Sequence, residues 1–177
     1  MKILVISDTH GSDRNLNLVL EKEKGIDLMI HLGDLCGLED YIEEMTGIPC
    51  YMVRGNNDYR SNLPAESVIM VGKHRTLLTH GHYFAIACDT ADLRRYARGL
   101  DCDIVMYGHT HIPEIETVGG ITVVNPGSLT LPRQPGRRPS YIIAETDEAG
   151  DVLLTCIFSK VTVKTIFLQK NKYLLLI

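Results

Sequence analysis

The chain has 177 residues, of which 45% are hydrophobic and 23% are charged, and its formal net charge is −4. This length allows one domain with a substantial core, and the composition is that of a globular rather than a disordered protein. The negative net charge argues against binding to polymeric nucleic acid, because such binding normally needs a basic surface. A short nucleotide is not excluded by this reasoning.

Two features of the sequence bear on its location. The opening stretch MKILVISDTHG is charged too soon after its apolar run for a signal peptide, and no window reaches the roughly 18 apolar residues of a membrane span. The five cysteines show no CxxC spacing, which is typical of reduced thiols rather than of a disulfide frame or a thiolate metal site. We therefore expect a cytoplasmic protein with no membrane contact.

The first third of the chain alternates apolar runs with amphipathic segments. KILVIS, DLMIHLG and CYMVRG are typical of buried strands. Between them, DRNLNLVLEKEKG has helical spacing that Gly25 closes, and LEDYIEEMTG is amphipathic with Gly47 as its stop. This βαβαβ pattern predicts a parallel sheet covered on both faces, because its strands are apolar throughout.

The rest of the chain is less regular. ESVIMVG and HRTLLTHG flank Gly72 like the strands of a hairpin, and CDIVMYG is a further strand. The segment CDTADLRRYARGL predicts a helix capped by Asp89 or Thr90. Two strands around Gly119 are followed by SYIIAET and DVLLTCIF, and this tail of antiparallel pairs predicts a second sheet stacked on the first.

The fold class that follows is α/β, a layered sandwich of two sheets. No internal repeat or long linker is visible, so we expect a single domain over residues 1–177. We make no firm prediction for the tail from about residue 160 to residue 177, because its alternation is only partial.

Polar residues follow five of the apolar runs, at the point where each run ends. They are Asp8 with His10, Asp34, Asn56, His80 with His82, and His109 with His111. In an open α/β sheet the carboxyl ends of parallel strands share one edge, where ligands bind. Residues two apart leave a strand in the same direction, so Asp8 can converge with His10 and His109 with His111. The pattern therefore predicts one site.

The types of side chain in this set favour a metal site. Carboxylate, amide oxygen and imidazole without thiolate suit Mn, Fe, Zn, Ni or Co. One ion needs fewer ligands than the set offers, whereas two ions about 3.5–4 Å apart and bridged by one carboxylate would use them all. A lone Asp-x-His after a strand is more often a capped turn than a ligand pair. Five such motifs in this order make coincidence implausible.

These motifs resemble the pattern of the calcineurin-like metallophosphoesterases, which runs DxH, GD, GNH(D/E), H and GHxH. The resemblance extends from Asp8 through NPGS at 125–128, and the compact length, THGH and NPGS look like the small YfcE-type phosphodiesterases. It implies an α/β/β/α sandwich of two mixed sheets flanked by helices. It also implies two divalent transition metal ions, with Mn first and Fe, Ni, Zn or Co as the alternatives.

The resemblance also assigns ligands to each ion. The first ion would take Asp8, His10, Asp34 and His111. The second would take Asp34, Asn56, His80 and His109, so that Asp34 bridges the two. The implied reaction is hydrolysis of a phosphate ester by a hydroxide held between the ions, most simply of a small phosphodiester.

Three further residues are expected to act beside the metals. Many relatives carry a histidine at the third position of GNH(D/E), whereas this chain has Asn57, which can donate a hydrogen bond but cannot release a proton. General acid help is worth about 10²–10⁴-fold, so its loss favours substrates with good leaving groups. His82 is either a substitute acid or a support for a ligand, and Asp58 is expected to brace the site.

Several alternatives stay open at this point. Arg133, Arg137 and Arg138 either meet the substrate phosphate or belong to a solvated loop, and Arg54 lies beside the site. A non-catalytic scaffold on the same fold, like the retromer subunit that resembles these enzymes, is a second functional class. A phosphomonoesterase or nuclease of the same superfamily is a third. Homo-oligomers are left open, because the small relatives often self-associate.

Overall fold

The computed structural model describes residues 1–159, 161–169 and 172–176. The helices are α1 (Arg14–Lys22), α2 (Glu39–Thr46) and α3 (Ala91–Gly99). The strands are β1 (Lys2–Ile6), β2 (Leu28–His31), β3 (Cys50–Met52), β4 (Glu66–Val71), β5 (His74–Thr79), β6 (Ile104–Met106), β7 (Glu114–Val118), β8 (Ile121–Asn125), β9 (Ser140–Thr146), β10 (Val152–Phe158), β11 (Val161–Gln169) and β12 (Lys172–Leu176). Residues 160, 170, 171 and 177 of the uncertain tail lie outside the described residues.

The first sheet has the strand order β12-β11-β10-β9-β1-β2-β3. Strands β1, β2 and β3 are parallel, which confirms the prediction from the βαβαβ pattern. Helices α1 and α2 cover the outer face of this sheet, where Leu16 and Ile42 pack against Leu4 and Ile6. These four side chains are fully buried, so the amphipathic spacing of both helices has a direct structural role.

The second sheet has the order β4-β5-β6-β8-β7. Strands β4 and β5 form the predicted antiparallel hairpin, and β5, β6 and β8 are parallel to one another. Helix α3 covers the outer face, where Leu93 and Ala97 pack with Leu77 and Val105. The second sheet therefore also presents a carboxyl edge formed by parallel strands.

The strands β9 and β10 do not belong to the second sheet, so that part of the prediction is wrong. Strand β9 pairs antiparallel with β1, with Val5 opposite Ile142, and β10 pairs with β9. Ile142 and Ala144 contribute to the core between the sheets from this position. Antiparallel pairing of neighbouring strands is compatible with either sheet, and long-range packing against β1 decides the outcome.

The two sheets pack face to face, with helices on both outer faces. Ile3 and Val5 of β1 belong to the core between the sheets, whereas Leu4 and Ile6 belong to the core under α1 and α2. This alternation follows from the period of two residues along a strand. The resulting α/β/β/α sandwich confirms the predicted fold class.

The helix ends agree with the sequence in two cases of three. Helix α2 ends at Gly47, whose φ of 62° lies in the left-handed region, and Thr90 is the N-cap of α3. Helix α1 ends earlier than Gly25 predicts, because Glu23 already has extended backbone angles. Among the described residues, no helix is long and apolar enough to cross a membrane.

Candidate metal centre

The carboxyl edges of the two sheets meet where the amide of His109 donates to Asp8 Oδ2 at 3.2 Å, and backbone hydrogen bonds join the loops within each sheet. In the first sheet, the amide of Asp8 donates to the carbonyl of Gly33 at 3.0 Å. In the second sheet, the amide of Gly108 donates to the carbonyl of His80 at 3.2 Å. The strand-end residues predicted from the sequence all lie on these loops, where the structure brings seven of them together.

The first half of the candidate metal centre consists of Asp8, His10, Asp34 and His111. Their ligand atoms all lie within 4.8 Å of one another. His111 Nε2 is 3.1 Å from Asp8 Oδ1, and His10 Nε2 is 3.7 Å from Asp34 Oδ2. Two carboxylates and two imidazoles at these distances form a compact set of donors for one divalent ion.

The second half consists of Asp34, Asn56, His80 and His109, so Asp34 belongs to both halves. His80 Nε2 lies 3.5 Å from Asp34 Oδ1 and 3.2 Å from Asn56 Oδ1. The ring centroids of His80 and His109 are 5.2 Å apart. The position of Asp34 between the halves is the one that a bridging carboxylate of a two-metal site requires.

Backbone carbonyls orient two of the imidazoles. His80 donates from Nδ1 to the carbonyl of Leu32 at 2.7 Å, and His111 donates from Nδ1 to the carbonyl of Leu131 at 2.7 Å. A proton held on Nδ1 leaves Nε2 with a lone pair for a metal ion. Both imidazoles are thus oriented with Nε2 toward the site.

The loops hold several of these residues in a rare backbone conformation. The φ angle is positive for Asp8 (56°), His10 (47°), Asp34 (56°), His109 (67°) and His111 (60°). Residues other than glycine adopt this left-handed region uncommonly, Asp and His more often than most, and Cys36, Asp101 and Arg137 also do so here, but such residues cluster at functional sites. Five of the seven predicted ligands share this feature, which supports a functional rather than a structural role.

The electrostatics of the site centre on Asp34 and His80. Burial alone would raise the pKa of Asp34, but its interactions with His80 and the hydrogen bonds from Asn57 outweigh burial and lower the pKa. Burial would lower the pKa of His80, but Asp34 and Asp8 together raise it. Burial and the charge of His80 lower the pKa of His109. Asp34 is therefore ionised, as a metal ligand must be.

A buried carboxylate oxygen of Asp8 tests whether these residues fit a metal ion. Asp8 is fully buried, and its Oδ1 accepts no hydrogen bond from any residue that the structure describes. A buried anionic oxygen without a donor is unfavourable unless a cation neutralises it. The donors of both halves surround this oxygen and the shared Asp34, so the residues fit divalent ions.

Asn57 contacts the side chain of Asp34, and Asp58 contacts backbone amides of the loops that carry the candidate ligands. Asn57 donates to both oxygens of Asp34, from its amide at 2.9 Å and from Nδ2 at 2.6 Å. The carboxylate of Asp58 accepts hydrogen bonds from the amides of Asp34, Gly55 and Cys36 at 2.8, 2.7 and 2.7 Å. Asp58 thus joins the loop after β2 to the loop after β3, which is the bracing expected from the sequence.

His82 lies beside the second half without entering it. Its ring centroid is 6.3 Å from that of His109, and it stacks on Tyr83 at 3.9 Å. Burial and the nearby charges of His80 and His109 lower its pKa. The structure leaves both roles considered for His82, acid or support, as predictions.

Sequence reasoning missed the residues that hold the loop after β1. Ser128 Oγ donates to the carbonyl of Asp8 at 2.7 Å, and Thr130 Oγ1 donates to the carbonyl of Thr9 at 2.8 Å. His31 accepts from the amide of Gly33 at Nδ1, and its Nε2 is 3.0 Å from Thr9 Oγ1. The NPGS motif was the available signal for Ser128, but turn composition alone does not reveal a partner more than 100 residues away.

The arginines near the site divide into two groups. Arg133 lines a depression together with His109, and Arg54 is close enough to His82 to contribute to lowering its pKa. All of these arginines are exposed, but Arg137 and Arg138, in the loop before β9, do not line this depression. The solvated-loop interpretation therefore suits Arg137 and Arg138 better than Arg133.

Comparison with known families agrees with this geometry. The family model described as the calcineurin-like phosphoesterase superfamily domain matches residues 1–149. The Bacillus subtilis protein named probable metallophosphoesterase YsnB is 35% identical over 144 residues, which are 81% of this chain and 83% of that protein. The chain therefore belongs to the calcineurin-like phosphoesterase superfamily. Membership in a family of metallophosphoesterases implies that divalent metal ions bind.

Two solved structures extend the comparison to the fold. The Escherichia coli phosphoesterase Yfce is 26% identical with a TM-score of 0.73, and the match covers 96% of this chain and 100% of that chain. Wild-type Vps29 of Entamoeba histolytica, solved in complex with zinc, is 30% identical with a TM-score of 0.77, and the match covers 97% and 100% of the two chains. The described fold is thus shared with a phosphoesterase and with a zinc-binding Vps29.

Proposed function

We propose that the protein is a metal-dependent phosphodiesterase that hydrolyses small phosphodiesters with good leaving groups. The observation that carries the proposal is the position of Asp34, which contacts donors of both halves of the candidate metal centre. A phosphoric ester hydrolase of this superfamily that uses two ions needs such a shared carboxylate. Two bound divalent ions, with Mn²⁺ as the first candidate, would supply positive charge and activate water.

The residues around the ions have separate tasks in this proposal. Asp58 and Ser128 fix the backbone of the ligand loops through the hydrogen bonds described above. Asn57 stands where many relatives carry an acid, and as an amide it donates a hydrogen bond without releasing a proton. The departing oxygen must then leave as a stabilised anion, which favours aryl or nucleoside-type diesters over simple alkyl monoesters.

A scaffold that binds metal without turnover is the second candidate. The likeness to zinc-complexed Vps29 at 30% identity favours it, because that match is as extensive as the match to Yfce. Metal binding alone does not separate the two candidates, so turnover must be measured. A phosphomonoesterase or nuclease of the same superfamily is separated by the choice of substrate.

The proposal also includes the size of the substrate and a cytoplasmic location. A net charge of −4 supports a small substrate rather than a nucleic-acid polymer. Cys36, Cys50, Cys88 and Cys102 form no disulfide among the described residues, and this is compatible with the proposed cytoplasmic location without membrane contact. Self-association is left to direct measurement of the molecular mass in solution.

The decisive experiment combines metal analysis with turnover. The purified protein is loaded with Mn²⁺, its metal content is measured, and hydrolysis of bis-aryl and mono-aryl phosphates is compared. We expect about two ions per chain and a preference for the diester in the parent, and loss of both ions and turnover in Asp34→Asn. Asp92→Asn, an exposed carboxylate on α3, is the matched control.

Three outcomes would contradict the proposal in different ways. Bound metal without turnover of either ester favours the scaffold. Faster turnover of the mono-aryl ester favours a phosphomonoesterase. Equal turnover of alkyl monoesters and aryl diesters would show that Asn57 does not restrict the leaving group.

A further inference from the structure

A depression of about 570 Å³ adjoins the second half of the candidate metal centre. Its lining includes His109 itself, with Ile86, Tyr107, Ile112, Glu114 and Arg133 around it. We call this depression the Arg133 pocket. Its volume lies within the roughly 300–1,000 Å³ that small-molecule sites occupy.

The walls of the Arg133 pocket are largely apolar. Ile86 is 6% exposed and comes from the turn after β5, whereas Ile112 is 46% exposed and follows His111 directly. Ala87 and Pro113 complete these walls. Apolar side chains of this kind suit a flat organic group, because its apolar surface loses contact with water when it packs against them.

Two charged side chains give the pocket its polarity. Glu114 accepts a hydrogen bond from the hydroxyl of Tyr107, which is 1% exposed. A carboxylate has about four acceptor positions, so Glu114 can also accept from an N–H or O–H group of an occupant. Arg133 supplies the positive charge that a phosphate needs.

A second depression of about 800 Å³ lies near Asn57 and shares no lining residue with the Arg133 pocket. Its lining includes Glu39, Asp40 and Glu43 and one cation, Arg60, so the carboxylates outnumber the positive charge and one wall is acidic. An anionic phosphate with its attached group is repelled by such a wall and attracted to Arg133. Asn57, which the proposed function places near the departing oxygen, lines the acidic depression, so the departing group, which carries no charge while it is still esterified, faces that side.

We propose that the Arg133 pocket binds the substituent that the phosphodiester keeps after cleavage, and that this substituent is a nucleoside. A nucleobase has flat apolar faces that match the walls and N–H groups at its edge that Glu114 can accept. Its phosphate then lies between Arg133 and His109. This inference rests on the proposed function and specifies the substrate class of that same site.

The test uses two diesters that release the same para-nitrophenol and differ only in the group they keep. Thymidine para-nitrophenyl phosphate keeps a nucleoside, and methyl para-nitrophenyl phosphate keeps a methyl group. Ala87→Trp fills the Arg133 pocket, and Ala85→Trp is the matched control, because Ala85 lies exposed in the same turn and does not line the pocket. Both substitutions are made in the full-length protein loaded with Mn²⁺.

We expect the parent and Ala85→Trp to prefer the thymidine ester in kcat/KM. In Ala87→Trp this preference falls about 10- to 200-fold, the range for a poor fit in an apolar pocket. An equal loss with both esters overturns the inference. So does a parent that hydrolyses both esters equally, and in that case the proposed function still stands.

Equilibrium binding separates a failure of this inference from a failure of the proposed function. If neither ester is hydrolysed, the proposed function fails, and binding of thymidine monophosphate to the Mn²⁺-loaded protein is then measured by calorimetry. Weaker binding to Ala87→Trp than to Ala85→Trp supports the pocket assignment. Equal binding to the two variants overturns it.

Discussion

The two halves of the candidate metal centre share Asp34 but differ in charge. The first half adds a second carboxylate, Asp8, whereas the second half adds the neutral amide of Asn56. A divalent ion in the first half is therefore balanced by more negative charge, and we expect it to bind more tightly. In the proposed two-metal site, one shared carboxylate would join a tightly held ion to a more exchangeable one.

The two halves also differ in the contacts that hold their ligand-bearing loops in place. The loop after β1, which carries Asp8, is held by Ser128, Thr130 and His31 from distant parts of the chain. The loop after β3, which carries Asn56, is held mainly by Asp58 within the same turn. The loop that carries Asp8 therefore depends on long-range contacts, whereas the loop that carries Asn56 depends mainly on a local turn that Asp58 ties to the loop after β2.

The largest expected effect comes from removing the charge that distinguishes the first half. Asp8→Asn keeps the shape of the side chain but leaves Asp34 as the single carboxylate. We expect the affinity for the tighter ion to fall by more than about 1,000-fold, because loss of a residue outside the ligand shell already reduces metal affinity 10- to 100-fold. Isothermal titration with Mn²⁺ measures this change.

His109→Gln provides the matching change in the second half. We expect it to weaken the second binding event and to leave the tighter one within about tenfold of the parent. Circular dichroism checks that both variants are folded. If Asp8→Asn and His109→Gln weaken the same binding event equally, the two halves are not distinct sites.

The next effect concerns Asp58 and the stability of the metal-free protein. Asp58→Ala leaves the amides of Asp34, Gly55 and Cys36 without the carboxylate that accepts from them. Since each unsatisfied buried donor costs about 1–3 kcal/mol, we expect the free energy of unfolding to fall by about 4 kcal/mol. Urea denaturation with a chelator present measures this change.

Asp92→Ala is the control for that measurement, since Asp92 is exposed on α3 and pairs with Arg95. We expect its effect to stay within about 0.5 kcal/mol. A similar small effect for Asp58→Ala would mean that the loops after β2 and β3 keep their positions without the carboxylate.

The third effect is a dependence of the free energy of unfolding on pH. It comes from His31, which contacts Thr9 in the loop that carries Asp8. Burial lowers the pKa of His31 from 6.5 to about 4. A histidine whose pKa is lower in the folded state stabilises the fold fully above pH 6.5, and this contribution is lost as the pH falls toward 4. Its size is about 3 kcal/mol, because one pKa unit corresponds to about 1.36 kcal/mol.

His31→Gln removes this titration while keeping a side chain that can hydrogen-bond Thr9. Between pH 6.5 and pH 4, we expect the free energy of unfolding of the parent to fall by about 3 kcal/mol more than that of His31→Gln. Urea denaturation at several pH values with a chelator present makes the comparison. Parallel pH profiles for the two proteins would show that His31 is not the group responsible.

The sequence predicts the positions of the site residues better than their contacts. Hydrophobic periodicity locates the strand ends, and this places Asp8, Asp34 and His80 at the carboxyl edges where the structure has them. The sequence does not predict their hydrogen-bond partners. Nothing in the pattern connects Ser128 to the carbonyl of Asp8 or Asn57 to both oxygens of Asp34, because these contacts join segments that only the tertiary fold brings together.

The same limit explains the wrong sheet for β9 and β10. Their alternation predicts antiparallel strands correctly, but the edge they join depends on Ile142 packing opposite Val5 across 137 residues. The Arg133 pocket has the same origin, since Ile86 and Arg133 come from separate loops. Local pattern thus locates the chemistry, whereas long-range packing shapes the surroundings that select a substrate.

The smallest effect that we predict makes the two halves more alike. Asn56→Asp replaces the amide oxygen 3.2 Å from His80 Nε2 with a carboxylate of the same shape. We expect the affinity for the second ion to rise about tenfold, since 1.4 kcal/mol is a modest gain for one added charge, and the affinity for the first ion to stay within about twofold. The added charge also opposes an anionic substrate, so KM for a diester rises while metal binding tightens. Isothermal titration and steady-state kinetics on the same preparation measure both changes. If the affinity for the first ion also rises about tenfold, the added charge acts on both ions equally. The neutral amide of Asn56 would then not explain a difference in affinity between the two halves.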